Sequence, residues 1–321
     1  MAEVFLPDNV TMLESAGTTY NMRPEYGEPI VGDIMNNALI MQLAQYKEMN
    51  GKRELKFDIL DEGLNAYLVD EGERIGTTRA KWKEVVMSSQ KIATIVPVSR
   101  EHLYYKQPQF FEFYKPLIAE ALYKKIDRLT ILGKDKPKSL DWTSISEAAE
   151  TAGHVVSGDL NTENYDKTID LLNDKGYEPN AYITLTKNNS KLRDLIRFDG
   201  NNVASRIYQR GTNYDTLDGI PAFKLNRRVA LDVPKGTLFA GDFDKVYYGI
   251  PYNMTYAISN DATLTTIQDD EGNPVNLFER ELTAMRVTFD FAYLLVDNDA
   301  FAKIEPADAT EGDEGGEEAG V

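Results

Sequence analysis

The stretch from residue 52 to residue 98 constrains this chain most. Leu55, Phe57 and Ile59 alternate with Lys56 and Asp58, the period of a strand with one apolar face. Ala66 to Val69 is a second short apolar run, and Asp70, Glu71 and Gly72 signal a turn. Ile92 to Val98 is strongly β-prone, interrupted by Pro97. Between these runs, residues 73–90 are polar and charged around Trp82, Val85 and Val86. The pattern is a long hairpin whose middle is too polar to be buried in its own chain. A two-stranded ribbon without a core beneath it is marginal by itself. Such a ribbon is either solvated or lies across a neighbour, and the second reading explains its length better.

The segments on either side carry their own signals. Residues 1–35 are turn-rich, yet Val4, Phe5, Leu6, Val10, Met12 and Leu13 are too apolar for a solvated tail. An arm that packs on another subunit accounts for them. Ile34 to Tyr46 reads as a short helix. Ser99 is a plausible N-cap for the clearest helix in the chain. There Phe110, Phe113, Tyr114, Leu117, Ile118, Ala121, Leu122 and Leu129 recur at helical spacing, and Glu112, Lys115, Glu120, Lys124, Asp127 and Arg128 fill the other side. Pro116 should kink or divide this helix and Gly133 should stop it.

Residues 139–245 read as a compact α/β unit. A helix is expected over 161–176, capped by Asn161 or Thr162, and another over Asn188 to Ile196. Short strands are expected at Ala181–Leu185, Ile220–Leu225, Ala230–Val233 and Thr237–Ala240. From Val246 the strands lengthen: Met254–Ser259, Thr263–Gln268 and a strict alternation of Met285, Val287, Phe289 and Phe291 with Arg286, Thr288 and Asp290. That is an antiparallel sheet with one buried face. Glu305 to Val321 holds seven acids and no bases, an expected disordered acidic tail. The fold class is α+β.

Composition removes several function classes. The 321 residues contain no cysteine and two histidines, His102 and His154. Disulfides, thiolate metal sites and thiol nucleophiles are therefore absent. No signal-peptide pattern opens the chain, and no apolar run approaches the roughly 20 residues needed to span a bilayer. The net charge of −17 opposes a protein that grips nucleic acid through phosphates. It does not oppose a container whose wall should not adhere to its contents.

The chemistry-bearing patterns are weak. Gly241-Asp242-Phe243-Asp244 reads as a turn between strands and Asp269 to Asn273 as a hairpin turn lacking calcium-loop spacing. Glu101 and His102 are adjacent, so on a helix they point about 100° apart and do not form an acid/base pair. No catalytic, cofactor-binding or metal-binding residue is assigned. A hydrolase using a carboxylate pair is the reading from another class, but nothing marks any particular pair.

The order of features resembles the major capsid proteins of tailed bacteriophages with the fold named for coliphage Hong Kong 97. Three segments carry the resemblance. Lys91 to Leu103 is an apolar strand ending in Pro97, Val98 and Ser99, followed by Glu101. Phe239 to Gly249 holds a glycine-aspartate turn before an aromatic strand. Arg286 to Phe291 is followed by Asp299 to Lys303. The resemblance spans most of residues 1–305 and is nearest to siphophages of Gram-positive bacteria.

It implies an N-terminal arm (1–35), a short helix and extended β-hairpin loop (36–98), a long spine helix (99–138), an axial domain (139–245), a peripheral-domain sheet (246–305) and the acidic tail (306–321). It also implies hexamers and pentamers in an icosahedral shell around double-stranded DNA, held without sequence-specific binding. Residues 1–35 leave no room for a helical scaffolding segment, so a separate scaffolding protein is expected, with a portal protein. Neither cofactor nor membrane is implied. Assembly is expected in the host bacterial cytoplasm and residence in the virion. Phe5, Val10, Phe57, Tyr67, Glu71, Trp82, Glu101 and Glu112 are the candidate inter-subunit contacts. An encapsulin-like nanocompartment shell, enclosing protein cargo, is the alternative within the same fold.

Overall fold

The computed structural model describes residues 3–4, 34, 37–62, 74, 77–99, 101, 107–137, 140–198, 204–211, 214–252, 254–269 and 272–307; at 3–4, 61–62, 107–113, 115, 198 and 204 the backbone alone is described. Most of the expected arm, the far end of the hairpin and nearly all of the acidic tail lie outside these residues.

In chain order the first elements are β1 (Glu3–Val4), α1 (Leu39–Leu43), β2 (Gln45–Tyr46), β3 (Glu54–Glu62), β4 (Lys81–Ser99) and α2 (Gln107–Asp127). Then come α3 (Ile145–Thr151), β5 (Val155–Ser157), α4 (Thr162–Asn173), β6 (Ala181–Leu185) and α5 (Asn189–Arg193). Short strands follow: β7 (Ile196–Phe198), β8 (Ala204–Arg206), β9 (Tyr208–Gln209), β10 (Asp215–Leu217), β11 (Ile220–Leu225) and β12 (Leu238–Gly241). The last are β13 (Val246–Gly249), β14 (Thr255–Ser259), β15 (Thr263–Gln268), β16 (Pro274–Asn276), β17 (Leu282–Leu295) and β18 (Phe301–Glu305).

One sheet runs β2-β13-β17-β4-β3, with β14 also on β17. Its long axis is the antiparallel pair of β17 and β4, in register from Leu282↔Ser99 to Tyr293↔Ser88. The alternation in β17 buries Met285, Val287, Phe289, Phe291 and Tyr293 in one cluster with Tyr114, Ile118, Leu122 and Ile126 of α2. The Trp142 ring meets Phe291 and Tyr293 edge-on at 5.9 Å, and its indole N–H donates to the Ser88 carbonyl.

β4 is one strand of 19 residues, not a polar stretch followed by a strand broken at Pro97. The Ser89 N–H donates to Arg53. Beyond that bond β4 has only β17 beside it among the described residues, and by alternation Pro97 points to the other edge. Its missing N–H therefore costs no ladder bond.

α2 continues through Pro116, which is exposed. The apolar stripe is shifted from the expected one: Leu117 and Ala121 are exposed, while Ala119 and Ile126 are buried. Asp127, expected on the polar side, is buried, and its two carboxylate oxygens accept the N–H groups of Leu39 and Ile40 at 3.2 Å each. A π-turn (Arg128–Leu132) follows and ends at Gly133, φ +68°. Any Cβ there would come within 2.6 Å of the Ser144 hydroxyl, which caps α3 in a capping box with Glu147.

The other large sheet runs β5-β18-β12-β6-β11-β10-β9. α4 begins at the expected Asn161 cap, whose side chain accepts the Asn164 N–H. β18 was expected with the last sheet. It lies instead between β12 and β5, so the end of the described chain completes the sheet that its middle begins. Gly241 makes this possible, because a Cβ would stand 2.3 Å from the Phe301 ring. Lys303 is buried with Glu150 at 2.7 Å and Glu305 at 2.6 Å; burial works to lower its pKa, but these carboxylates outweigh it and hold the ammonium above its usual range.

Three other expectations change. Helix α1 covers only Leu39–Leu43, because Ala44 is extended and Gln45–Tyr46 joins β13. Ala230–Val233 is a turn, with Arg128 holding the Val229 carbonyl and both oxygens of Asp232. The helix expected over Asn188–Ile196 reduces to α5 preceded by a 3-10 turn, since Ile196 starts β7.

Candidate assembly surface

The ribbon of β3 and β4 has two unlike faces. Its pairs run Leu55↔Met87, Phe57↔Val85 and Ile59↔Lys83 on one face, and Lys56↔Val86, Asp58↔Glu84 and Leu60↔Trp82 on the other. The first face turns inward. Met87 is fully buried with Met49 and Ala292, and Leu55, Phe57, Tyr247 and Leu294 pack around them. The Phe57 ring meets Tyr247 edge-on at 5.3 Å, and the Lys47 ammonium lies 5.3 Å from the Phe57 centroid.

Among the described residues nothing covers the outer face. Trp82 is 62% exposed, Leu60 48% and Val86 43%. Leu60 and Trp82 are direct cross-strand partners, so their apolar surfaces form one patch. Asp58 opposite Glu84 is a like-charge pair that weakens the ribbon, and Lys56, 3.1 Å from Glu84, offsets part of it. Covering Trp82 and Leu60 contributes roughly 2–3 kcal/mol per side chain before ordering costs.

The expected contacts are therefore distributed unevenly. Trp82 is exposed on the outer face, and Glu101 is exposed just beyond the end of β4. Phe57 is half-buried, its ring turned by the alternation onto its own chain against Tyr247. Phe5, Val10, Tyr67 and Glu71 lie outside the described residues, as does the Glu112 side chain. Leu60 and Val86 were missed. Both are apolar residues out of phase with the buried alternation, and that phase break was the readable signal. Phe278, 73% exposed, was missed as well. It sits in the turn between β16 and β17, where its N–H donates to the Asn276 side chain.

The described residues include no group of three or more histidines or acids placed to hold a metal ion. His154 is buried, with Nδ1 3.1 Å from the Phe301 carbonyl, and His102 lies outside the described residues. Asp242 caps the turn between β12 and β13 by accepting the Asp244 N–H. Asp269 accepts the Asn273 N–H in the turn between β15 and β16. No helix of the described residues is long and apolar enough to cross a membrane.

The major capsid protein of Staphylococcus phage 80alpha is 41% identical over 308 residues, 95% of this chain and 90% of that protein. The probable major capsid protein gp17 of Mycobacterium phage L5 is 24% identical over 309 residues, 90% of each chain. These relatives are structural proteins, not enzymes. Among solved structures, a chain from Microbacterium phage Oxtober96 superposes with a TM-score of 0.65 at 18% identity, covering 92% of this chain and 96% of that one. The capsid of an empty GTA particle gives 0.54 at 13% identity, covering 92% and 94%. These structures share the mixed α/β fold. The family model described as the phage capsid family matches residues 18–305. The chain belongs to the phage capsid family.

Proposed function

We propose that this chain is the major capsid subunit of a tailed phage and assembles into the icosahedral head around double-stranded DNA. The supporting observation is 41% identity to a major capsid protein across 95% of the chain. The uncovered outer face of the ribbon gives that reading a physical basis.

In this reading the fold is of the Hong Kong 97 type. The β3–β4 ribbon is the extended loop, lying over the next subunit with Trp82 and Leu60 against it. α2 is the spine helix, and the β17 sheet beneath it is the core of the peripheral domain. The sheet around β6 and β11, completed by β18, is the axial domain and faces the capsomer centre. Hexamers and pentamers form through many modest contacts. Closure joins them, so the shell is stable while wrong contacts still dissociate. The surplus of acids keeps the wall from adhering to DNA. A separate scaffolding protein and a portal protein complete the pathway, in the host bacterial cytoplasm.

Expression with and without a co-expressed scaffolding protein, followed by electron microscopy, tests this. Closed shells with scaffold are expected, and monomers alone in both cases would end the proposal. Nuclease-protected DNA in particles from infected cells separates a phage head from a compartment filled with protein.

A further inference from the structure

The chain carries a net charge of −17, yet cations collect where the end of α2 meets the turn after β11. Arg128 ties the two together, donating to the Val229 carbonyl and forking onto Asp232. The carboxylates at this junction are each shared by two cations. Asp232 takes Arg128 at 2.9 Å and Lys134 at 3.2 Å. Asp135 takes Arg128 at 2.8 Å and Lys125 at 3.8 Å. Glu120 takes Lys124 at 2.6 Å and, from the turn, Arg228 at 2.7 Å.

Further cations at the junction have no carboxylate among the described residues. The Lys187 ammonium is seated on the carbonyls of Leu231 and Val233 in the same turn, at 2.9 and 3.2 Å. Arg227 and Lys235 are exposed and make no ion pair among the described residues. The junction therefore holds eight cations against three carboxylates. The flanking pairs Lys136–Glu147 and Lys191–Asp159 are balanced and add no charge.

Like charges gathered this way repel one another, and an anion laid across them removes that cost. From Glu120 to Arg128 the chain rises about 12 Å, and a duplex carries about seven phosphate charges in that length. We propose that this patch is where the inner wall of the shell meets the phosphates of the packaged duplex. Lysines and arginines on phosphates position a duplex without reading its sequence. The surplus of acids elsewhere repels DNA, so contact is confined to the patch and stays weak in each subunit. This rests on the capsid-subunit reading and adds the face that is turned to the contents.

The unassembled chain is titrated with a short fluorescent duplex and binding is read by anisotropy. Binding is expected at low salt, falling roughly tenfold or more between about 50 and about 200 mM. Arg227→Ser with Lys235→Ser should leave the melt unchanged and weaken binding roughly fivefold or more, with a shallower salt dependence. Lys52→Ser with Arg53→Ser, the same charge change at the start of the ribbon, should leave binding unaltered. No binding at low salt, or equal losses from the two pairs, overturns the proposal. So does binding that appears only in a chain ending at Ala307, since the acids of 308–321 then occupy the patch instead. Closed shells formed with scaffold should leave a long duplex added outside unbound, and binding there overturns the inner placement. A chain that binds the duplex through the patch but forms no shells counts against the capsid-subunit reading, which is a distinguishable result.

Discussion

Asp127 shows how one residue can reverse a pattern-based reading. It was placed with the polar residues of its helix, yet it is buried and joins the end of α2 to the start of α1. Burial pushes its pKa up to about 7, although the Leu39 and Ile40 N–H groups act in the other direction. The folded pKa lies above the ordinary carboxylate value, so the protonated form is favoured by folding. Its stabilising contribution is complete below about pH 4 and is lost as pH rises through about 7. The upper bound is on the order of 4 kcal/mol. Thermal unfolding of Asp127→Asn against the unaltered chain checks this. The unaltered chain should lose relative stability between pH 4 and pH 7, and parallel profiles would refute the assignment. Nothing in the sequence announced this residue, because helical periodicity tells which side of a helix faces the core but not which short segment docks at its end. Gly133 was legible for the opposite reason: a helix stop is local chemistry.

At the scale of elements, the strands with strict alternation were readable and the composite ones were not. β6 and β11 begin and end where the sequence places them, and β17 shows the expected one-sided burial. β4 changes its buried side along its length, with Met87 in one small core and Ile92 and Val96 packing against the main one. No single period describes such a strand, which is why it read as two pieces. The two faces of the ribbon should respond differently to mutation. Met87→Ala should cost about 2–4 kcal/mol of subunit stability, by the cavity it leaves. Trp82→Ala combined with Leu60→Ser should change unfolding by no more than about 0.5 kcal/mol, while sharply reducing shell yield. Denaturant melts paired with particle counts measure both. Deleting about residues 60–80 should likewise leave a folded subunit that cannot form stable shells, and normal shells from it would count against the extended-loop role.

The whole molecule is held together by contacts remote in sequence, and these were the least legible. Arg128 donates Nε to Asp135 at 2.8 Å and forks onto Asp232, joining the end of α2 to the turn after β11. β18 crosses back into the sheet of β12. Alternation and capping describe neighbours along the chain, not which distant strand fills a gap in a sheet. The ribbon was read as having no core beneath it, whereas its inner face packs on Met49, Ala292, Tyr247 and Leu294, and only its outer face is open among the described residues. The acidic tail is rich in charge and poor in large apolar side chains, so removing residues 307–321 should leave assembly intact; loss of particles on electron micrographs would show that the tail takes part. The central claim is that the outer face of the ribbon is completed by another subunit. A cryo-electron microscopy map of the assembled shell tests it most directly. Trp82, Leu60 and Val86 should be buried against a neighbouring copy, and a map in which these three side chains remain open to solvent would contradict the account.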